Sequence, residues 1–346
     1  MARERTDEDT ELRIGATMGL PDVLQGLGVD PAKMFAEAGF DLALFDSPEN
    51  MISFRERGRL MAFCVARTGC QHLGLLVGQR AGLHSLGMTG LLAKYSPDVE
   101  TALRNLTNFM HLHVRGAVTS LTIEEKSARV SYLVSQPRAL ANDQVGDGAV
   151  AATFNIIRSL CGALWRPSQV MFAHRQPQDI VPFQRFFQAP LVFDAEQNAV
   201  VFPVSWLNRS LPQTDPELLG MLRQQVEALE HRYGDDFPGK VRRVLRLAIM
   251  TKQANEEHIA TMFSMHSRTL RRHLQEFDTN FDELLDEIRY ETARQMLEDT
   301  RMTVTQVALA LNYANASSFT RAFGRWSGLT PARWRTARQV KVHRQD

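Results

Sequence analysis

Apolar residues recur at helical spacing through most of this chain, and the places where that period fails divide it. Between Pro21 and about Leu92 they return every three or four positions, broken at Gly28–Pro31, Asp46–Pro48 and Thr68–Gly69. That pattern predicts several short helices. Ser96-Pro97-Asp98 predicts another, with Ser96 at the N-cap, Pro97 at the first helical position, and Asp98 and Glu100 near the positive end of the dipole. It runs through Leu103 and Leu106 to about Met110. The period then drops to two: Val114–Ile123 and Ala128–Val134 flank Glu124-Glu125-Lys126-Ser127 and read as a hairpin. An apolar helix near Ala149–Trp165 follows. Short strands are expected at Val170–His174, Leu191–Phe193 and Ala199–Phe202, the last two separated by the turn residues Asp194–Asn198. This region is therefore expected to be α+β, behind a disordered polar tail over residues 1–13.

From Asp215 to about Arg232 a helix carries Leu218, Leu222, Val226 and Leu229 on one stripe, and Gly234–Gly239 ends it. Such a stripe serves either as a dimer seam or as a contact with its own domain, and two heptads do not decide. The expected organisation is an N-terminal sensing or dimerisation domain over 14–210, a linker helix over 211–237 and an all-helical domain over 238–337.

Within that C-terminal domain a pair of helix–turn–helix patterns stand side by side, Asn255–Phe277 and Thr303–Gly328. In such a motif the second helix enters the major groove of DNA. In the first, Ile259, Met262 and Phe263 face Leu270 and Leu274, leaving Arg268, Thr269, Arg271, Arg272 and Gln275 as candidate DNA contacts. Arginine matches guanine O6 and N7 bidentately and also binds phosphate. In the second, Thr303 and Gln306 form a capping box, while Val307, Ala308 and Leu311 supply the buried face. Asn315 caps a helix whose candidate contacts are Ala316, Ser317, Thr320, Arg321 and Arg325. Its small leading residues discriminate bases weakly, so base readout is expected mainly from the first motif and phosphate positioning from the second. Between them Phe281–Asp299 carries Leu284, Leu285, Ile288, Ala293, Met296 and Leu297 at helical spacing. A helix of that length spans ~28 Å, close to the ~34 Å repeat of the groove, so it can hold two recognition helices in successive grooves if the DNA bends slightly.

Charge sharpens this picture. Residues 240–346 carry 18 Lys and Arg against 12 Asp and Glu, whereas residues 1–239 carry 22 against 27. The near-zero total conceals a basic C-terminal region suited to phosphate. No run of apolar residues reaches membrane-spanning length, and the charged N-terminus is unlike a signal peptide, so a cytoplasmic protein without membrane contact is expected. Cys64, Cys70 and Cys161 read as reduced thiols without a disulfide framework.

Residues from about 240 to 336 resemble the DNA-binding domain of the AraC/XylS family of transcription regulators. The most specific element is Gly328-Leu-Thr330-Pro331-Ala-Arg-Trp334-Arg335, which matches the family's closing signature, and Ala308, Tyr313, Phe319, Arg321 and Phe323 fit its pattern. The family usually has Ser or Thr at the cap of the first recognition helix. Here His266 stands there, followed by Ser267, so either Ser267 caps a helix that starts one residue late or His266 serves. The N-terminal region is similar to the arabinose-binding type of domain, through Leu86-Gly87-Met-Thr-Gly90, Ser96–Leu103 and Phe187–Ala195. The resemblance implies a sequence-specific transcription regulator, an activator rather than a repressor. It further implies promoter DNA, a small-molecule effector, RNA polymerase and a second copy of the chain as partners. The alternative is a DNA reader whose N-terminal domain only oligomerises or is a fused enzyme.

Three further signals are set aside. Gly146-Asp-Gly148-Ala-Val-Ala151 mimics a dinucleotide fingerprint but lacks a preceding strand. His111-Leu-His113 has strand-like metal spacing but no further ligand nearby. No nucleophile elbow, phosphate loop or activated cysteine is present, so neither catalytic residues, cofactor nor metal is expected.

Overall fold

The computed structural model describes residues 11–114, 117–134, 141–195, 197–233, 237–250, 253–263, 265–299 and 302–342. The chain divides into two units, Met1–Gly234 and Asp235–Asp346, and the fold is mixed α+β followed by all-α. The first unit opens with β1 (Glu11–Arg13), α1 (Leu20–Gly26), α2 (Pro31–Ala38) and β2 (Met51–Ser53). It continues through α3 (Phe54–Thr68), α4 (Leu73–Gly78), α5 (Gly87–Lys94) and α6 (Val99–Phe109) to the hairpin β3 (Ala117–Ile123) and β4 (Ser127–Val134). Then come α7 (Asn142–Cys161), β5 (Gln169–Met171), α8 (Val181–Phe187), β6 (Leu191–Val192), β7 (Asn198–Pro203) and α9 (Pro216–Tyr233).

The main sheet has the order β3-β4-β7-β5-β6, antiparallel except for β5 and β6. Register places Val130, Val200 and Val170 side by side across three strands. All three are buried, in one core with Phe154 and Ile157 of α7 and the aromatics Trp165, Phe172, Phe183, Phe187 and Phe202. A second core gathers α1 to α4 around Phe35, Phe54, Leu60 and Leu73.

Several expectations are corrected. Residues 11–13 are not a tail: they pair with Met51–Ser53, and Leu12 is buried, while residues 1–10 lie outside the described residues. Asp98, not Ser96, caps α6, accepting a hydrogen bond from the Thr101 amide at 2.7 Å. Ser96 is buried, donating to the Leu92 carbonyl and accepting from Asn105. The stripe on α9, expected on a linker, packs within the first unit, where Leu222 and Val226 bury against Leu92. Helix α7 begins seven residues before Ala149, because Gly146 and Gly148 lie inside it instead of breaking it.

In the dinucleotide mimic, a Cβ on Gly146 would meet the Asn198 side chain at 2.9 Å and one on Gly148 the Gly74 carbonyl oxygen at 3.2 Å; the tighter contacts belong to α4. A Cβ built on Gly78 of α4 would lie 2.3 Å from the Gly148 carbonyl oxygen, and one on Gly74 would lie 2.0 Å from that of Gln144. Backbone meets backbone, which only glycine permits. Close approach of α4 and α7 is thus what Gly74 and Gly78 are for. Burial pushes the thiols of Cys64 and Cys161 up to about 12, which leaves them unreactive.

The second unit comprises α10 (Phe237–Met250), α11 (Glu256–Met262), α12 (Ser267–Gln275), α13 (Phe281–Asp299), α14 (Val304–Ala310), α15 (Ala316–Ser327) and α16 (Pro331–Val342). Its core runs along α13 from Leu284 and Ile288 to Ala293 and Leu297, all buried. No helix among the described residues is long and apolar enough to cross a membrane.

Gly78→Ala should force α4 and α7 apart and cost ~1–3 kcal/mol or more. The urea midpoint of the variant measures this, and an unchanged midpoint contradicts the close packing.

Candidate nucleic-acid interface and ligand pocket

The first helix–turn–helix is built on caps and a small core. Asn255 caps α11 by accepting from the His258 amide at 2.9 Å. Ile259 and Ala260 of α11 meet Leu270 and Leu274 of α12, all buried. Phe263 packs on Phe237, which also meets His273 edge-on. His266 occupies the cap position of α12 in extended conformation without a side-chain cap bond, so the helix starts at Ser267. That start sets the phase: Arg268, Arg271, Arg272 and Gln275 are exposed and Thr269 is half-buried.

Arg271 is not free, however. Its Nε and Nη2 donate to the two carboxylate oxygens of Glu256 at 2.6 and 2.7 Å. These bonds and the charge of Glu256 hold the Arg271 guanidinium more firmly protonated than usual. The pair ties the recognition helix to its positioning helix. Arg271 was expected as a direct contact, and in this state its fork is already filled.

In the second motif the capping box forms as expected: the Thr303 hydroxyl accepts from the Gln306 amide, and the Gln306 side chain accepts from the Thr303 amide at 2.8 Å. Asn315 caps α15 through the Ser318 amide. Ser317 and Arg321 are exposed and Ala316 and Thr320 half-buried. Arg325 donates to Asp286 of α13 at 2.9 Å, and Trp326 Nε1 donates to the same oxygen at 3.0 Å. Like Arg271, it is bound to its own scaffold. Asn312, in the left-handed region that asparagine tolerates, donates to the Ile249 carbonyl of α10 at 3.0 Å. Arg335 donates to the carbonyls of Leu297 and Met302 at 3.0 and 2.6 Å, satisfying backbone oxygens at the end of α13. Neither the Glu256 and Asp286 anchors nor the role of Arg335 was read from the sequence. The closing signature marked that arginine without saying what it holds.

The first unit contains a separate cavity of about 90 Å³ where its two cores meet. Arg57 and Met61 of α3, Val77 of α4, Thr119 of β3, Tyr132 of β4 and His113 line it. Burial, reinforced by the charges of Arg13 and Arg57, holds the His113 imidazole down at about 3. The His111–His113 pair does not lie on a strand: residues 110–112 form a short 3-10 turn, and His111 Nδ1 lies 2.9 Å from the Asn108 carbonyl. Among the described residues no cluster of His, Cys, Asp or Glu is arranged to hold a metal.

A family model for the arabinose-binding domain of AraC transcription regulators matches residues 28–211, more than half of the chain. A helix–turn–helix domain model matches residues 259–337. The chain is 27% identical over 320 residues to the ornithine utilization regulator of Pseudomonas aeruginosa, covering 92% of this chain and 94% of that protein. It is 29% identical over 100 residues to the transcriptional activator CfaD of Escherichia coli, covering 29% of this chain and 37% of that one. Among solved structures, the transcriptional regulator CdpR from Pseudomonas aeruginosa aligns over 92% of this chain and 96% of its own, at 20% identity and a TM-score of 0.46.

Two outcomes follow from this geometry. Arg268→Ala and Arg272→Ala should each lose ~1–3 kcal/mol of specific DNA binding, whereas Arg271→Ala should lose less base discrimination than either. Gel-shift titration against native and base-substituted sites measures this, and equal loss of discrimination in all three contradicts it. His113, neutral when folded, takes up its proton only on unfolding between its ordinary 6.5 and about 3. The unfolded chain therefore binds more protons in that window, and the stability His113 contributes above 6.5 is lost as pH falls through it. Urea midpoints from pH 7 down to about 5 should drop, with a shallower slope in His113→Gln. Parallel slopes would contradict this.

Proposed function

We propose that this chain, which belongs to the AraC/XylS family of transcription regulators, reads promoter DNA with both recognition helices at once, and that its first unit makes this reading responsive to a small molecule. It is a sequence-specific DNA-binding regulator of transcription. The observation that carries the rigid two-site reading is the anchoring of the second motif on α13. Asp286 holds Arg325 and Trp326 of α15, while Arg335 of α16 closes the helix end. From α10, Arg242 and Arg246 reach Glu287 and Glu291 of α13, both at 2.8 Å. The continuity of α13 over 19 residues, ~28 Å and close to the ~34 Å groove repeat, supports this reading.

In this reading Arg268, Arg272 and Gln275, with Thr269 beside them, face bases. Ala316, Ser317 and Thr320 allow close approach in the next groove, and Arg321 meets phosphate. Arg271 and Arg325 set helix angles and reach DNA only by exchanging a carboxylate for a phosphate. The first unit acts as a sensor and not as an enzyme, since its cavity is lined largely by apolar side chains. The name of CfaD supports activation, which brings RNA polymerase in as partner. A cytoplasmic location and a second copy on the promoter complete the reading.

Inserting about five base pairs, half a helical turn, between the two contacted grooves should abolish high-affinity binding by the full chain. Inserting a full turn should leave only single-motif affinity. Undiminished affinity on the half-turn site would show that the two motifs are not held as one reader.

A further inference from the structure

The cavity beside α3 brings together four buried polar side-chain atoms that make no hydrogen bond. Arg57 is 6% exposed, and its Nε and Nη2 have no hydrogen-bond partner. The same holds for His113 Nε2 and Thr119 Oγ1, and all three side chains line the one cavity. Among the described residues no ion pair reaches Arg57. Its guanidinium lies 4.5 Å from the Phe54 ring centroid and interacts by hydrogen bond with the hydroxyl of the buried Tyr132, a neutral partner that leaves the charge unbalanced. The other charge near His113, Arg13, is already paired with Glu49 at 3.1 Å.

A buried cation without a counter-charge is costly, and burying one beside an empty space makes sense when something anionic fills that space. The chemistry selects which anion. Nε–H and Nη2–H are the two donors along one edge of the guanidinium, a fork that matches a planar carboxylate through two parallel bonds. Thr119 adds a hydroxyl that can donate or accept, and His113, kept neutral, adds no second charge. The rest of the wall is mostly aliphatic, with Met61 and Val77, and is interrupted by Tyr132, Gln144 and Thr153; it suits a short alkyl chain better than a fully hydrated phosphate. Size limits the chain: an engineered cavity of about 150 Å³ holds the six heavy atoms of benzene, so about 90 Å³ takes a body of about four, the size of acetate or, with slight yielding of the wall, propionate.

Resting on the reading of the first unit as a sensor, we infer that its ligand is a short aliphatic carboxylate, gripped side-on by Arg57 and bonded by Thr119. An occupied cavity supplies the missing charge between α3, α4 and the sheet, so the ligand favours the packing of these elements described above.

The test is calorimetric titration and thermal unfolding of the full chain with sodium propionate, propionamide and sodium phosphate at constant ionic strength. Propionate should bind and raise the melting temperature, while propionamide, alike in shape but uncharged, and phosphate should not. Arg57→Lys keeps the charge but loses the fork and should bind propionate about tenfold more weakly or worse. Arg57→Met should lose the response altogether. If that variant does not fold, Arg57→Lys and Thr119→Val, each expected to weaken binding, carry the comparison. Propionamide binding as tightly as propionate, phosphate being preferred, or no propionate binding to the wild-type chain would each overturn the carboxylate assignment. The sensor reading is judged separately, by a promoter reporter that responds or fails to respond to growth conditions through residues 1–234.

Discussion

The second unit depends on one buried helix. Helices α10, α14, α15 and α16 all pack on α13, whose Leu284, Ile288, Ala293 and Leu297 form a continuous apolar edge. Short helices such as α11, α12 and α14 have too few internal hydrogen bonds to persist alone. Side-chain caps at Asn255 and Thr303 hold the starts of α11 and α14, and Leu270, Leu274, Val307 and Phe319 share the core with α13. Polar bonds then set the angles: Arg271 to Glu256 within the first motif, Arg325 and Trp326 to Asp286 in the second. Exposed pairs of this kind add little stability. Their effect is directional, fixing where the outward faces of α12 and α15 point.

The first unit follows a different constraint. Its two cores are joined by the glycine-mediated contact of α4 with α7, and the seam beside that contact is filled imperfectly. Leaving polar atoms of Arg57, His113 and Thr119 without partners in a protein interior works against stability. Natural interiors satisfy nearly all such groups. Three incompletely satisfied side chains around one cavity therefore mark the seam as a place where an added molecule can supply missing bonds. A ligand there acts on the packing of α3 and α4 against the sheet, which is the kind of differential contact an effector needs.

Much of this was legible in the residues. The caps at Thr303 and Asn315, the limits of α13 and the hairpin around Glu124–Ser127 were readable because each is local: a side chain and an amide three residues away, or a period held over ten positions. The failures are the non-local ones. Ser96 looked like a cap because serine before proline usually is one, yet burial against Asn105 claimed its hydroxyl and Asp98 took the cap. Gly146 and Gly148 resembled a dinucleotide fingerprint because nothing in sequence announces that they sit inside α7, against Asn198 and Gly74. Arg271 and Arg325 looked like free cations because their partners stand 15 and 39 residues away. Arg57 gave no signal at all, as one of several arginines on an amphipathic helix; only the fold shows that it faces inward without an acid.

In the proposed reading, DNA meets two recognition helices held at one fixed spacing, and hydroxyl-radical footprinting of the full chain on its promoter tests this most directly. Two protected patches on one face of the duplex, centred about one helical turn apart (~34 Å) and appearing together over the same protein concentrations, are the predicted result. A single patch, or two that fill independently, would contradict it.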